Sequence, residues 1–346
     1  MKKLNFIIKC GLALLLLSFY SCESWLNVTP SDRLSEEMLF NDREGFVKAL
    51  NGVYIELNTN ELYGRNLTAG ALDVMGQYYS VASSSHAFYN YGGLVYTGND
   101  EKALFDNMWQ KCYAVIACCN TIIEKCDENK AGLSPVWRGS IKGEALALRA
   151  MLHFDMLRLF GPLTSELDKE SIPYQTNSDQ TVTPLLSGSE VVGLILDDLK
   201  NAVGLLKDTD PYFVEEEFSD TDLNYRRFRM NYFAAKGLMA RVQLWGGDKE
   251  KAAATAKEVI AEGQAEGAEF FPFVTNSEAT SSNPDRVFYS EVLFGTYHSS
   301  REKLHEDLFA PTLESTSILT LAGTARRDDL YDNENDYRYS VWSTYN

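Results

Sequence analysis

The sequence predicts a mainly α-helical protein in which tetratricopeptide-like helical hairpins pack against long irregular loops, with only minor β-structure. Three observations predict this class. Residues 142–162 are apolar almost all round, which is typical of a buried helix. Other segments repeat apolar residues at helical spacing, and stretches rich in Gly, Ser, Asn and Tyr separate them. The chain has 346 residues, which is long enough to bury a large core.

The N-terminus carries the pattern of a secretion signal. Two lysines precede an apolar run over residues 6–20, which is too short for a comfortable membrane span. The run ends at Ser21-Cys22, a small residue before a cysteine, as in bacterial lipoprotein processing sites where the thiol is acylated. We therefore predict a signal peptide over residues 1–21 and Cys22 as the lipidated residue. Plain cleavage that leaves a free Cys22 is the alternative, and it would release the protein from the membrane.

The first predicted helix spans residues 42–57, where apolar residues recur at helical spacing. Residues 58–100 show no periodicity, so we expect a long irregular loop, which in a compact domain is usually functional. A second helix over residues 102–126 and the apolar helix over 142–162 follow, joined by a turn at 129–135. Two helices with a short connection form a hairpin.

Three more helices are predicted further along the chain. A Ser-x-x-Glu capping box at Ser187–Glu190 begins the first of them. Residues 227–245 and 249–262 form the last pair, with Asp248 as the N-cap of the second helix. Small alanines in both helices permit close approach. The pair therefore resembles a tetratricopeptide unit, which has about 34 residues.

After the helix pair the composition changes, because periodicity gives way to aromatic and polar residues. A strand-like segment is predicted over residues 291–298. We expect one domain over residues 22–346, mostly helical over 22–267 and rich in loops over 268–346.

Charge and motifs argue against nucleic-acid binding and against catalysis. The chain has 32 basic and 49 acidic residues, a net charge of -17, which repels phosphate backbones. It contains no nucleophile elbow, Walker loop or HExxH motif. The adjacent pairs Asp197-Asp198 and Asp328-Asp329 are expected to be solvated rather than to form a glycosidase pair. We predict a protein that is not an enzyme.

Cysteine and histidine usage indicates no metal site and no cofactor. Cys112, Cys118, Cys119 and Cys126 all fall in the predicted helix over residues 102–126. Three of them are seven residues apart, too far for a disulfide along one helix face. No cluster of histidines accompanies them, so we predict buried free thiols.

Short motifs follow one another along nearly the whole chain. They are Cys22 with Trp25-Leu26 and Pro30, Phe46 with NGVY at 51–54, Trp109 with Tyr113, Ile116 and Asn120, ALRAMLHFDMLRLFGPL at 147–163, DDLKNAVGLL at 197–206, the helix pair at 232–260, EVLF at 291–294, and RRDD at 326–329. In this order they resemble the SusD/RagB-like family of surface lipoprotein nutrient binders from Bacteroidota.

The resemblance implies a helical, non-catalytic protein anchored by lipid to the outer membrane and facing the cell exterior. It also implies a partner, a SusC-like TonB-dependent transporter, over whose mouth the lipoprotein sits as a lid. The ligand would be an oligosaccharide or, less often, a peptide. Family members usually continue well past the point where this chain stops, so the resemblance implies a truncated or shortened loop-rich part.

The candidate ligand contacts are aromatic residues beside polar groups. Sugar rings stack on aromatic faces, and their hydroxyl groups need polar partners at the edge. The predicted contacts are Tyr78, Tyr79, His86, Tyr89, Tyr91 and Tyr297. Packing inside the protein is the alternative for each of them. For the whole protein, the alternatives to glycan capture are peptide capture by the same architecture and a helical-repeat scaffold that binds proteins.

Overall fold

The computed structural model describes residues 36–179, 181–214, 218, 223, 225–265, 268–321, 328–329, 331, 333 and 335–336. The predicted signal peptide and Cys22 lie outside these residues. The described chain is mainly helical, as predicted. Its α-helices in chain order are α1 Glu36–Leu39, α2 Arg43–Leu57, α3 Ala71–Met75, α4 Tyr89–Gly92, α5 Asn99–Glu128, α6 Pro135–Phe160, α7 Gly188–Thr209, α8 Tyr232–Trp245, α9 Lys249–Gly263, α10 Asn276–Ala279 and α11 Arg301–Leu308.

Several helix ends lie where the local sequence signals place them. The Asp42 side chain accepts a hydrogen bond from the backbone nitrogen of Gly45 at 2.8 Å and caps α2. Ser187 and Glu190 form the predicted capping box of α7, and Asp248 caps α9. The central helix α6 begins earlier than predicted, because Ser134 caps it and a proline occupies its first turn.

The long helices pack consecutively. The central helix α6 lies between α5, with which it forms a hairpin, and α7; α7 packs on α8, and α8 forms a second hairpin with α9. Helix α2 covers part of α5 and α6. The side chains between these helices form one large hydrophobic core. This arrangement confirms the prediction of tetratricopeptide-like hairpins.

One charged group of α6 is held deep in this core. The guanidinium of Arg149 donates two hydrogen bonds to the carboxylate of Asp198 in α7, at 2.7 and 2.6 Å. The hydroxyl of Tyr174 donates to the same carboxylate at 2.5 Å. The prediction that Asp198 is solvated is therefore wrong, because its pairing partners come from distant parts of the chain. Its neighbour Asp197 is exposed, as expected.

The β-structure consists of short antiparallel pairs. They are β1 Tyr79–Ser80 with β6 Thr320–Leu321, β2 Glu170–Pro173 with β3 Leu185–Ser187, and β4 Gln264–Ala265 with β5 Ala268–Glu269. A second, smaller hydrophobic cluster lies beside β1 and β6 and contains Phe88, Tyr91, Leu308 and Leu319.

The predicted strand over residues 291–298 is wrong. This segment is irregular after a 3₁₀ turn at Tyr289–Glu291. Its backbone groups pair instead with the chain before α8: the nitrogen of Gly295 donates to the carbonyl of Arg227 at 2.9 Å. The carbonyl of Leu293 accepts from the Asn231 side chain at 2.7 Å. These backbone groups bond to isolated partners and not to a neighbouring strand, so the segment forms no strand ladder.

The cysteines of α5 are free thiols. Cys112, Cys119 and Cys126 are buried on one face, as predicted. Cys118 is exposed, so the prediction of a buried thiol is wrong for this residue, because the position next to Cys119 points about 100° away around the helix. Among the described residues, no helix combines the length and the apolar character that crossing a membrane requires.

Candidate functional site

A cavity of about 410 Å³ lies between α2 and the segment that precedes α8. Its volume is within the range of small-molecule sites, roughly 300–1,000 Å³. Its walls come from three parts of the chain that are far apart in sequence. The lining residues are Asn51, Tyr54, Ile55, Asn58, Tyr225, Phe228, Arg229 and Tyr297.

Aromatic rings form much of the cavity wall. Tyr225 and Tyr297 are 66% and 59% exposed, so both rings are available to a ligand. The ring of Phe228 stands edge-on to Tyr297, with centroids 5.6 Å apart. Rings with open faces beside polar groups are the arrangement that binds sugar rings or apolar side chains.

The polar part of the wall is organised by hydrogen bonds. Arg229 donates through Nη1 to the amide oxygen of Asn51 at 2.7 Å. The guanidinium of Arg229 also lies 4.7 Å from the ring centroid of Tyr54. The amide nitrogen of Asn58 donates to the carbonyl oxygen of Tyr54 at 2.8 Å. Amide and guanidinium groups at one wall provide both donors and acceptors for hydroxyl groups.

Tyr225, Phe228 and Arg229 can form part of this wall because they lie before the start of α8. Helix was expected from residue 227, but Arg226–Phe228 is a 3₁₀ turn and α8 begins at Tyr232. Asn231 caps α8 by accepting a hydrogen bond from the nitrogen of Ala234 at 2.9 Å. The prediction was wrong because this cap and the ion pairs of the preceding arginines hold the segment outside the helix.

Beneath the cavity lies a buried set of ion pairs. Arg226 donates two hydrogen bonds to the carboxylate of Asp210, at 3.0 and 2.8 Å, and a third to Glu144 at 3.2 Å. Arg229 donates through Nε to Glu144 at 2.8 Å. The hydroxyl of Tyr54 also donates to Glu144, at 2.5 Å. Burial and the nearby Glu144 carboxylate raise the pKa of Tyr54 well above its usual value, so the phenol stays protonated.

The structure places three of the sequence-predicted contacts inside or against the smaller hydrophobic cluster. Tyr91 is 2% exposed, and burial raises its pKa to about 12. His86 is buried, and its Nδ1 accepts from the backbone nitrogen of Phe88 at 2.9 Å. Tyr79 lies in β1, with its ring centroid 5.3 Å from that of Phe309. These positions favour packing, which was the alternative for each residue.

The other three predicted contacts are exposed. Tyr78 follows α3 and is 44% exposed, and Tyr89 begins α4 and is 43% exposed. The predicted loop over residues 58–100 thus contains short helices. Tyr297 lines the cavity, and the other five residues are not among its described lining residues. Ligand contact by all six stays a prediction.

Sequence reasoning missed most of the cavity. Residues 225–229 read Tyr-Arg-Arg-Phe-Arg, and aromatic residues between arginines are a signal that could have marked this segment. Tyr54 lies in the first predicted helix and in the NGVY motif at 51–54, and neither pattern marks it as a cavity residue. In the described part of the chain, no three His, Cys, Asp or Glu side chains are grouped as a metal site would need.

Comparisons with known proteins agree on one family. The SusD-like family described as "Starch-binding associating with outer membrane" matches residues 24–244, more than half of the chain. SusD-like protein P2 of Formosa agariphila is 25% identical over 265 residues, which cover 75% of this chain and 46% of that protein. The chain therefore spans less than half of that relative's length.

Solved structures share the fold. A SusD superfamily protein from Bacteroides thetaiotaomicron has a TM-score of 0.65 at 20% identity, over 86% of this chain and 63% of that one. A SusD-like carbohydrate binding protein from Bacteroides vulgatus has a TM-score of 0.64 at 21% identity, over 87% of this chain and 60% of that one. Together, the match over residues 24–244 and the shared helical architecture establish that this chain belongs to the SusD-like family.

Proposed function

We propose that this protein is a non-catalytic lipoprotein of the outer membrane, anchored through Cys22 and facing the cell exterior. It binds an oligosaccharide and passes it to a SusC-like TonB-dependent transporter for import. The family description and the lipoprotein pattern at the N-terminus support the location, and membership of the SusD-like family supports the partner. The cavity lined by Tyr225, Phe228 and Tyr297 is the observation that carries the choice of ligand.

The cavity suits a sugar because it offers open rings beside polar groups. Tyr225 and Tyr297 present faces for the C–H side of a sugar ring, while Asn51 and Arg229 lie at the polar wall. The exposed rings of Tyr225 and Tyr297 enclose little of the ligand, so the affinity for a single sugar unit is expected to be low.

The charges beneath the cavity favour a neutral sugar. Two arginines, Arg226 and Arg229, face two carboxylates, Glu144 and Asp210, so the buried charges balance. A uronate or sulfate group would meet no net positive charge there, and the whole chain has a net charge of -17. A neutral oligosaccharide is therefore the proposed ligand.

A peptide is the second candidate, and one observation favours it. Ile55 at the cavity wall is 69% exposed, which would suit an apolar side chain of a peptide. The same transporter partnership would apply.

The test is calorimetry with the processed chain, residues 22–346, in detergent, titrated with neutral glycans, anionic glycans and peptides. Tyr225→Ala and Tyr297→Ala are each expected to weaken glycan binding about tenfold, because a stacked ring contributes roughly 0.5–1.5 kcal/mol beyond its buried area. Tyr78→Ala and Tyr89→Ala, in the predicted loop over residues 58–100, test whether the ligand lies there instead.

The outcomes separate the candidates. Loss of binding in the loop variants, with the cavity variants unaffected, would place the ligand on the loop. Binding of peptides alone would support the second candidate. Cleavage of any glycan during the titration would contradict the non-catalytic assignment.

A further inference from the structure

Of the two buried carboxylates beneath the cavity, that of Glu144 is shared by residues of the cavity wall. Glu144, in the middle of α6, is 0% exposed and accepts hydrogen bonds from three side chains. They are the hydroxyl of Tyr54 at 2.5 Å, Nε of Arg229 at 2.8 Å and Nη1 of Arg226 at 3.2 Å. Tyr54 comes from α2, while the arginines come from the segment before α8, so the carboxylate joins three parts of the chain.

Two of these three donors line the cavity. Tyr54 and Arg229 both line the cavity, and the guanidinium carbon of Arg229 lies 4.7 Å from the ring centroid of Tyr54. The hydroxyl of Tyr54 also accepts a hydrogen bond from the backbone nitrogen of Met230 at 2.8 Å. Its position is therefore fixed from two sides, by Glu144 and by the turn that carries Arg229.

We propose that Glu144 is a positioning residue of the binding site, which sets Tyr54 and Arg229 in the geometry that receives the ligand. This inference rests on the proposed function, because it assigns a role within the same cavity. A buried ion pair is weak evidence for stability, since well-packed apolar residues often serve equally well. A carboxylate that accepts from three donors, two of them in a cavity wall, also fixes the positions of those donors.

The chain offers a matched control. Asp198 is also a buried carboxylate that accepts from one tyrosine, Tyr174, and one arginine, Arg149. None of these three residues is among the described lining residues of the cavity. Glu144→Gln and Asp198→Asn therefore remove the same charge from similar surroundings, and both should lower the stability of the protein.

The first measurement needs no ligand. Side-chain NMR signals of Tyr54 and of the Nε–H of Arg229, identified by their loss in Tyr54→Phe and Arg229→Lys, are compared in the two variants. An amide has a single acceptor oxygen, so Glu144→Gln is expected to shift both signals and to speed exchange of the Arg229 proton. Asp198→Asn is expected to leave both unchanged. Unchanged signals in Glu144→Gln would overturn the proposal.

The second measurement is calorimetry with the neutral oligosaccharide that wild-type protein binds best. Glu144→Gln is expected to weaken affinity at least tenfold, and Asp198→Asn less than twofold. The double variant of Glu144→Gln with Tyr54→Phe is expected to lose less than the product of the two single losses, since both act through one contact. If Glu144→Gln and Asp198→Asn weakened the affinity equally, Glu144 would have only a structural role. If wild type binds no saccharide, the proposed function fails, while the NMR comparison still decides the positioning role.

Discussion

At the scale of single residues, two carboxylates of the helical core show how a buried charge is accommodated. Asp198 and Glu144 each accept hydrogen bonds from a tyrosine and from arginine, and each lies in the helical core. A buried carboxylate without such partners would be costly. The pair of Arg149 and Asp198 could not be predicted from the sequence, because the two residues lie 49 positions apart.

Asp73 in α3 is a half-buried carboxylate that provides a pH test. Burial raises its pKa to about 6. The unfolded chain ionises near pH 4, while the folded chain keeps the proton until about pH 6, so the free energy of unfolding should fall as pH rises through this window. Asp73→Asn should remove this fall and stabilise the protein at pH 7 by about 1 kcal/mol, allowing for solvent screening. Urea unfolding at several pH values measures it.

Asp248 is the control with the opposite sign. Its hydrogen bond to Lys251 lowers its pKa. Its contribution should therefore be lost as pH falls through its lowered pKa, and Asp248→Asn keeps the helix cap while removing the charge. If wild type and Asp73→Asn show the same pH profile, the account of Asp73 is wrong.

At the scale of elements, local signals predicted most helix ends and distant contacts decided the rest. The capping box at Ser187 and Glu190 involves neighbouring residues, so the sequence contains the whole interaction. The start of α8 depends on Asn231 together with the ion pairs that Arg226 and Arg229 make with Glu144, which lies 82 and 85 positions away from them. The irregular segment after Tyr289–Glu291 likewise depends on partners in another part of the chain.

The contact between α6 and α7 is close enough to test by a single methyl group. A Cβ atom on Gly143 would lie 2.8 Å from Cγ of Leu206 and 3.3 Å from the carbonyl of Ala202. Gly143→Ala is therefore expected to lower the free energy of unfolding by about 1–3 kcal/mol, despite the helix preference of alanine. Thermal and urea unfolding followed by circular dichroism would measure it.

Gly204 of α7 is the matched control, because nothing lies within 4 Å of its added Cβ. Gly204→Ala is expected to stabilise the protein by about 0.5–1 kcal/mol through helix propensity alone. Stabilisation by both substitutions would mean that α6 and α7 are less tightly packed than the structure indicates.

At the scale of the whole molecule, the family could be predicted from sequence but the cavity could not. The motif order along the chain pointed to the SusD-like family, which the match over residues 24–244 confirms. The cavity combines α2, the turn before α8 and the segment at Tyr297, and only the folded chain brings these together. The predicted loop could be recognised as rich in aromatic residues, yet which rings are buried depends on the cluster that includes Leu308 and Leu319.

The aromatic surface continues past the cavity, and this continuation predicts a dependence on ligand length. Centroid to centroid, Phe228 lies 5.6 Å from Tyr297, which lines the cavity, and 5.7 Å from Tyr289, which is not among the described lining residues. Tyr289 is 40% exposed, and the guanidinium of Arg227 lies 4.9 Å from its ring centroid. A glycan that fills the cavity would reach Tyr289 only with a further sugar unit. Affinity should therefore rise from mono- to tri- and tetrasaccharide.

Tyr289→Ala should reduce the affinity of the longer glycans about threefold to tenfold and leave that of the monosaccharide unchanged, because only the longer chains stack on the lost ring. Tyr297→Ala should weaken all lengths, since it removes a ring of the cavity itself. Calorimetry across the length series distinguishes the two. An equal effect of Tyr289→Ala on every length would indicate that this residue supports the cavity wall through Phe228 and does not contact the ligand.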